Sequence, residues 1–126
     1  MRDGTDLKGV ICASVTPLSS PGTIDADALG HHCADMLNAG CNFTSAFGTT
    51  GEGASFSVSE KVAALTAMAQ SGVDMSRQVP GVLCCSVEDA AVFYRTIAQL
   101  GCRAALIIPP YYYDATGEGV ADFYAS

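Results

Sequence analysis

The stretch AGCNFTSAFGTTGEGASFSVSEKVAALTAMAQSG, residues 39–72, decides the fold of this chain. It opens with an uncharged run near 41–47, passes through a glycine-rich turn at 48–53, and then places apolar residues at helical spacing. Ser57 and Glu60 have the spacing of a capping box, which predicts that a helix begins there. Strand, turn and helix in this order make one βα unit.

The same order is repeated before and after this unit. Uncharged runs at 10–16, 79–84 and 104–108 predict three further strands, each followed by a helical pattern. Asp25, Ser86 and Thr116 are residue types that cap helices, and they mark the predicted helix starts. Strands without charge are typical of a parallel sheet that is covered on both faces. The chain is therefore α/β, and an open doubly wound sheet and a (β/α) barrel both remain compatible with the pattern.

The second predicted helix carries an apolar stripe. Its members are Val58, Val62, Leu65 and Ala69. This stripe predicts that Lys61 lies on the surface-facing side of the helix.

Size and charge exclude several classes of protein. The chain has 126 residues, 49% of them hydrophobic, which favours one domain with a core. Its formal charge of −7 argues against a nucleic-acid-binding surface. No window of about 18 apolar residues is present and the first residues lack an apolar h-region, so we expect neither a membrane span nor a signal peptide. A cytoplasmic protein is the expectation.

The six cysteines favour buried thiols in a reducing compartment. They form no Cys-x-x-Cys pair, although a disulfide scaffold remains the alternative. Cys84 and Cys85 are adjacent and follow a predicted strand, where they are either reactive or inert. His31 and His32 lie within the first predicted helix without a third ligand at suitable spacing, so we expect no metal site.

Two loops that follow predicted strands carry polar groups suited to chemistry. In the turn Gly48–Gly53, glycines expose backbone N–H groups beside two threonine hydroxyls, which suits a carboxylate or a phosphate. The turn matches neither a phosphate-binding P-loop nor a dinucleotide fingerprint. In the loop 109–113, two prolines precede three tyrosines, whose phenols either relay protons or pack against neighbouring elements. A plain βα turn and a packing role are the alternative interpretations of these loops.

The order and spacing of three segments resemble a known family. A strand ending in Val15-Thr16-Pro17, the turn Gly48-Thr49-Thr50-Gly51-Glu52 and the loop Pro110-Tyr111-Tyr112 are similar to those of the dihydrodipicolinate synthase/N-acetylneuraminate lyase family. The resemblance extends from about Lys8 to Ser126. It implies a (β/α)8 TIM barrel that forms a Schiff base between a lysine and pyruvate or a similar 2-oxo acid, without a further cofactor.

The resemblance also implies residue roles. Thr50, with the adjoining Gly51, matches the position that binds the substrate carboxylate. Thr49 matches the hydroxyl of a proton relay, and Tyr112 matches the tyrosine that a neighbouring subunit adds to that relay. The family pattern further implies a homo-oligomer, a dimer or tetramer, with Tyr112 near the dimer contact.

Two departures from the family pattern lead to expectations about this chain. The relay tyrosine of the fifth strand and the Schiff-base lysine of the sixth would follow Ser126, while the chain holds only Lys8 and Lys61. We therefore expect residues 1–126 to be the N-terminal half of one barrel domain and to be inactive alone. The loop at Cys84–Ser86 is also shorter than in many members, which puts feedback inhibition and strict synthase identity in doubt. The alternative is a small non-catalytic α/β protein that binds an anion at Gly48–Gly53.

Overall fold

The computed structural model describes residues 6–126, which form four α-helices, six short strands and two short 3₁₀ helices, Gly53–Ser55 and Met75–Arg77. The strands are β1 (Ile11–Ala13), β2 (Leu18–Ser19), β3 (Thr23–Ile24), β4 (Phe43–Ser45), β5 (Gly81–Val82) and β6 (Leu106–Ile107). The helices are α1 (Ala26–Asn38), α2 (Val58–Gln70), α3 (Val87–Gln99) and α4 (Gly117–Ala125). The four predicted strands are confirmed as β1, β4, β5 and β6, each shorter than the uncharged run that contains it.

These four strands lie side by side in chain order and run parallel. β1 pairs with β4 and β5 pairs with β6. Between the pairs, Thr44 forms a parallel bridge with Gln78, and the Gly81 N–H donates to the Ala46 carbonyl at 2.7 Å. A doubly wound sheet reverses its strand order at a switch point, whereas a barrel wall adds strands in sequence. The order β1-β4-β5-β6 therefore decides for the barrel.

The predicted helix starts are confirmed by their hydrogen bonds. Side-chain oxygens of Asp25, Ser57, Ser86 and Thr116 each accept a backbone N–H from the first turn of the helix that follows. At Ser57 the bond is reciprocal, because Glu60 accepts the Ser57 backbone N–H at 2.8 Å. Since each cap fixes where a helix begins, it also fixes the length of the preceding loop.

A small hairpin, β2–β3, lies where the sequence predicts only a turn. Leu18 pairs with Ile24, and Gly22 adopts a φ of 113° in the connection. Two residue pairs are too few to produce an alternating pattern, so the sequence carried no strand signal here.

The core lies between the sheet and helices α1 to α3. Its largest fully buried apolar side chains are Leu29, Phe47, Leu65, Met68, Phe93 and Ile97. The predicted burial of Leu65 is confirmed. No helix of residues 6–126 combines the length and the hydropathy that a bilayer crossing requires.

The prediction for Lys61 is wrong. The side chain is only 1% exposed, and the buried residues of α2 are Lys61, Ala64, Leu65 and Met68. Lys61 lies four residues before Leu65 and seven before Met68, which places all three on one face of the helix. Val58, Val62 and Ala69, predicted as the stripe, border this face and are partly buried.

Within residues 6–126, the predicted cover on both faces is not found around β1. Val10, Ile11 and Val15 are 60%, 42% and 49% exposed. Within residues 6–126, β1 has a strand partner on one side only. Leu106 in β6, the strand at the other end of the order, is likewise 51% exposed.

The prediction of six buried thiols is correct for three. Cys33, Cys84 and Cys102 are buried, Cys12 and Cys41 are half-buried, and Cys85 is exposed, all as free thiols. Cys85 leaves the core because the chain turns into α3 directly after it. Of the interpretation that Cys84 and Cys85 are buried, inert thiols, only the burial of Cys84 is confirmed.

Candidate active site

The turn Gly48–Gly53 sits at the carboxyl end of β4, the edge where (β/α) barrels carry their active sites. Two backbone bonds close it: the Gly53 N–H donates to the Gly48 carbonyl at 3.0 Å, and the Glu52 N–H donates to the Thr49 carbonyl at 3.1 Å. Thr49 and Thr50 are exposed, whereas Gly51 and Gly53 are buried. The turn thus presents its hydroxyls outward and its glycines inward.

The inward glycines fit spaces that have no room for a side chain. A Cβ on Gly51 would lie 2.8 Å from the Ser14 carbonyl oxygen, and one on Gly53 would overlap the Phe47 carbonyl. Gly81 in β5 faces the same Phe47 oxygen, which would lie 2.7 Å from a Cβ at that position. The turn therefore rests directly on the backbone of β5 and of the segment after β1.

Two side chains anchor the carbonyls of the turn. The Thr16 hydroxyl donates to the Gly51 carbonyl at 2.6 Å, and the buried Lys61 ammonium donates to the Gly53 carbonyl at 3.1 Å. Thr16 lies in the segment after β1 and Lys61 belongs to α2, so this segment and a helix both hold the turn. Among residues 6–126, neither Thr49 nor Thr50 forms a side-chain hydrogen bond, which leaves both hydroxyls available to a ligand.

Backbone strain is concentrated at this edge. The non-glycine residues with positive φ in the described part of the chain are Phe47 (62°), Glu52 (52°) and Tyr112 (86°). For a bulky residue this conformation is unfavourable and is commonly found at functional sites. Phe47 and Glu52 bracket the glycine turn, and Tyr112 lies in the loop after β6.

The burial of the Phe47 ring compensates for its strained backbone. The ring is fully buried and packs edge-on against Phe56 and Phe93, with centroids 6.5 and 6.2 Å away. Edge-to-face pairs of this kind add stability beyond the buried area. The aromatic cluster therefore fixes the entrance of the turn.

The tyrosine loop is exposed. Tyr112 and Tyr113 are 89% and 82% exposed, and their rings stack perpendicularly with centroids 4.9 Å apart. Within residues 6–126 no hydrogen bond joins Tyr112 to Thr49, although each follows a parallel strand, Thr49 after β4 and Tyr112 after β6. The structure therefore brings Thr49, Thr50 and Gly51 together in one turn and places Tyr112 on a separate projecting loop.

The loops after β5 and β6 meet through Cys85. Its thiol lies 3.6 Å from the Tyr111 carbonyl oxygen, to which it donates. Burial raises the pKa of the Tyr111 phenol, and the neighbouring Cys85 raises it further. Burial also raises the pKa of Cys84, although the nearby Lys61 ammonium opposes this. Tyr111 and Cys84 therefore remain protonated at neutral pH.

Three residues of this region were missed as site residues by sequence reasoning: Thr16, Phe47 and Lys61. Lys61 had a usable signal, because its spacing to Leu65 and Met68 is that of a buried helix face. Phe47 had none. Thr16 had only its place in the segment Val15-Thr16-Pro17, which does not show its hydrogen bond to Gly51, 35 residues later.

Comparisons with known proteins agree with this architecture. The fold and the site define a (β/α)-barrel chain with its working loops at the carboxyl ends of its strands. Residues 6–126 match the family model described as the dihydrodipicolinate synthetase family, and the chain belongs to this family.

Individual relatives match nearly all of this chain but only part of their own length. The 4-hydroxy-tetrahydrodipicolinate synthase of Saccharophagus degradans is 32% identical over 90% of this chain and 39% of its own length. Dihydrodipicolinate synthase of Agrobacterium tumefaciens superposes with a TM-score of 0.87 at 36% identity, over 93% of this chain and 41% of that one. The pyruvate complex of the Acinetobacter baumannii synthase gives a TM-score of 0.80 at 29% identity, over 93% and 40%. The chain thus spans about two fifths of the length of these relatives.

Proposed function

We propose that residues 1–126 form the N-terminal half of a single (β/α)8 barrel domain in a Schiff-base lyase, aldolase or synthase. The proposed substrate is pyruvate or a similar 2-oxo acid. Family membership and the pyruvate complex of the Acinetobacter baumannii relative support this proposal. The observation that carries it is the anchored turn Gly48–Gly53, which presents two uncommitted hydroxyls at the carboxyl end of β4.

In this proposal Thr50 and Gly51 bind the carboxylate of the substrate. A carboxylate accepts hydrogen bonds from a hydroxyl and from backbone N–H groups, and glycine lets the ligand approach the backbone closely. Because the turn is fixed before substrate arrives, little ordering is left to occur on binding. The substrate keto carbon is thereby held at a fixed position relative to an attacking amine.

Thr49 and Tyr112 move protons in this proposal. Attack of an amine on the keto carbon and loss of water give an imine, which withdraws electrons from the neighbouring carbon. A hydroxyl placed between phenols passes protons to and from these intermediates. We propose that Tyr112 reaches the relay of a neighbouring subunit in a dimer or tetramer, which accords with its 89% exposure within its own chain.

The proposed reactive amine is neither of the lysines in residues 1–126. Lys8 is exposed and precedes β1, at the opposite end of the strands from the turn. Lys61 is buried and its ammonium donates to the Gly53 carbonyl, whereas a nucleophile requires a neutral amine that substrate can reach. A lysine elsewhere in a longer chain therefore supplies it in this proposal.

Borohydride reduction in the presence of pyruvate tests the function. We expect the full-length protein to gain one reduced pyruvate adduct per chain, on a lysine outside residues 1–126, and the 126-residue chain to gain none. Intact-mass and peptide mass spectrometry measure both results, with reduction in the absence of pyruvate as the control. Absence of an adduct from the full-length protein, or an adduct on Lys61, would contradict the proposal.

The non-catalytic alternative predicts a different result in the same experiment. A protein that only binds anions at Gly48–Gly53 would show pyruvate binding without a covalent adduct.

We also propose a cytoplasmic location, because six free thiols suit a reducing compartment. Alkylation of the native protein in intact cells, followed by mass spectrometry, would show oxidised cysteines if this location were wrong.

A further inference from the structure

Lys61 is a buried cation without a carboxylate partner among residues 6–126. It is 1% exposed, and the salt bridge of the described chain joins Arg103 to Asp6 instead. Burying an ammonium costs several kcal/mol unless other groups compensate. An apolar side chain beside Leu65 and Met68 would avoid this cost. The charge therefore calls for an explanation other than core packing.

The neighbours of the ammonium identify what it holds. Its nitrogen lies 3.1 Å from the Gly53 carbonyl oxygen, 3.8 Å from the Cys84 sulfur and 5.2 Å from the centroid of the Phe93 ring. The carbonyl is the strong acceptor of the three, and the ring adds a cation–π contact. One cation thus connects the turn after β4, the loop after β5 and helix α3.

Gly53 has little freedom once this bond is made. Its N–H donates to Gly48, its α-carbon rests on the Phe47 carbonyl, and its own carbonyl accepts from Lys61. Thr49 and Thr50 lie between Gly48 and Gly53, so the position of Gly53 determines where their hydroxyls point.

We propose that Lys61 is a positioning residue, whose ammonium fixes the turn Gly48–Gly53 and thereby the orientation of Thr49 and Thr50 toward substrate. The part of this proposal that concerns substrate rests on the proposed function. Lys61 itself touches neither substrate nor the reacting amine. Removing its charge leaves the helix but releases the Gly53 carbonyl.

The test compares three variants of the full-length protein. Lys61→Met removes the donor and keeps the length of the side chain, and Lys61→Arg keeps a donor. Met68→Ala is the matched control, because it damages the same buried face of α2 two turns further on. A merely structural role for Lys61 would make Lys61→Met and Met68→Ala behave alike.

Two measurements separate these roles. Hydrogen exchange at the Glu52 and Gly53 amides reports on the turn, and the pyruvate concentration that gives half-maximal borohydride trapping reports on substrate binding. We expect both to rise at least about tenfold in Lys61→Met, to recover in Lys61→Arg and to stay near wild type in Met68→Ala.

Other results would overturn the proposal. Unchanged exchange at Glu52 and Gly53 in Lys61→Met, or an equal rise in Met68→Ala, would reduce Lys61 to a packing residue. If the wild-type protein traps no pyruvate, the proposed function fails, while the exchange comparison still decides the role of Lys61. Should Lys61→Met not fold, Lys61→Gln, with a shorter neutral donor, takes its place and must show faster exchange at the same two amides.

Discussion

The two ends of the parallel strands are held in different ways. At the amino ends, long side chains reach backbone carbonyls: Arg77 donates to the carbonyls of Asn42 and Cys41 at 2.9 and 2.7 Å. Asn42 in turn accepts the Val10 N–H at 2.9 Å. At this end, the side chains of Arg77 and Asn42 use their polar groups to hold neighbouring segments together.

At the carboxyl ends, contacts on its buried side hold the turn Gly48–Gly53 in place. Glycines pack against carbonyl groups, while Thr16 and Lys61 bind the inner side of the turn. The outward hydroxyls of Thr49 and Thr50 are left uncommitted. Within residues 6–126, polar side chains at one end hold strands together, while two exposed hydroxyls at the other end form no side-chain hydrogen bond. In (β/α) barrels the carboxyl ends carry the active site.

The largest effect is expected where the carboxyl-end turn is overfilled. Gly53→Ala should lower the free energy of unfolding by about 3 kcal/mol, because the new methyl group overlaps the Phe47 carbonyl. Gly48→Ala is the matched control in the same turn, since a Cβ there meets nothing within 4 Å. Urea unfolding of the two variants measures the difference. Equal stability of the two would mean that the turn is not packed as described.

A smaller loss of stability is expected at the amino ends. Arg77→Met should cost about 2 kcal/mol, because two charge-assisted hydrogen bonds to carbonyls are lost. Its half-saturating pyruvate concentration should stay at the wild-type value, since Arg77 lies at the end away from the turn. Arg95→Met, on an exposed position of α3, is the control and should change stability by less than about 0.5 kcal/mol. A higher half-saturating pyruvate concentration in Arg77→Met would contradict separate roles for the two ends of the strands.

Thr50→Val should weaken pyruvate binding and leave stability nearly unchanged, the reverse of Arg77→Met. Loss of the hydroxyl is expected to raise the half-saturating pyruvate concentration about tenfold, equivalent to about 1.4 kcal/mol. Stability should change by less than about 0.5 kcal/mol, because the side chain is exposed. Thr96→Val on α3 makes the same substitution away from the turn and should leave trapping unchanged. A Thr50→Val protein that traps pyruvate normally would remove Thr50 from the site.

The smallest effect concerns alkaline pH at the amino ends. Burial raises the pKa of Cys102, just before β6, from 9.0 to about 11. Between these values the unfolded chain loses the thiol proton and the folded chain keeps it, so stability falls as pH rises. Unfolding midpoints at pH 8, 9 and 10 should therefore decline less steeply in Cys102→Ala than in wild type. Parallel declines would show that burial of Cys102 does not perturb its titration.

Much of the fold followed from the sequence because its signals are local. Asp25, Ser57 and Thr116 cap helices through bonds to residues three positions on, and such spacing is visible in one dimension. Local sequence patterns could not decide between a barrel and an open sheet, because that choice depends on which strands pair. The family resemblance anticipated that choice, and the bridge between Thr44 and Gln78 supplied its structural evidence.

Only the part of the candidate site that is formed by recognisable motifs could be predicted from the sequence. Thr49, Thr50 and Gly51 stand out as a motif, and Tyr112 stands out as part of a Pro-Tyr loop. The inward half was hidden, because the bond from Thr16 to Gly51 spans 35 residues and no periodic pattern encodes it. Lys61 was misplaced because an apolar stripe was chosen one residue away from the buried face. A lysine on that face contradicts the usual preference of charge for the surface.

In the function we propose, the turn after β4 binds the carboxylate of a 2-oxo acid. A crystal structure of the full-length protein, reduced by borohydride in the presence of pyruvate, tests it most directly. We expect the pyruvyl carboxylate within hydrogen-bond distance of the Thr50 hydroxyl and of backbone N–H groups at Thr50 or Gly51, with Lys61 still bound to the Gly53 carbonyl. A carboxylate bound away from this turn, or attached through Lys61, would contradict it.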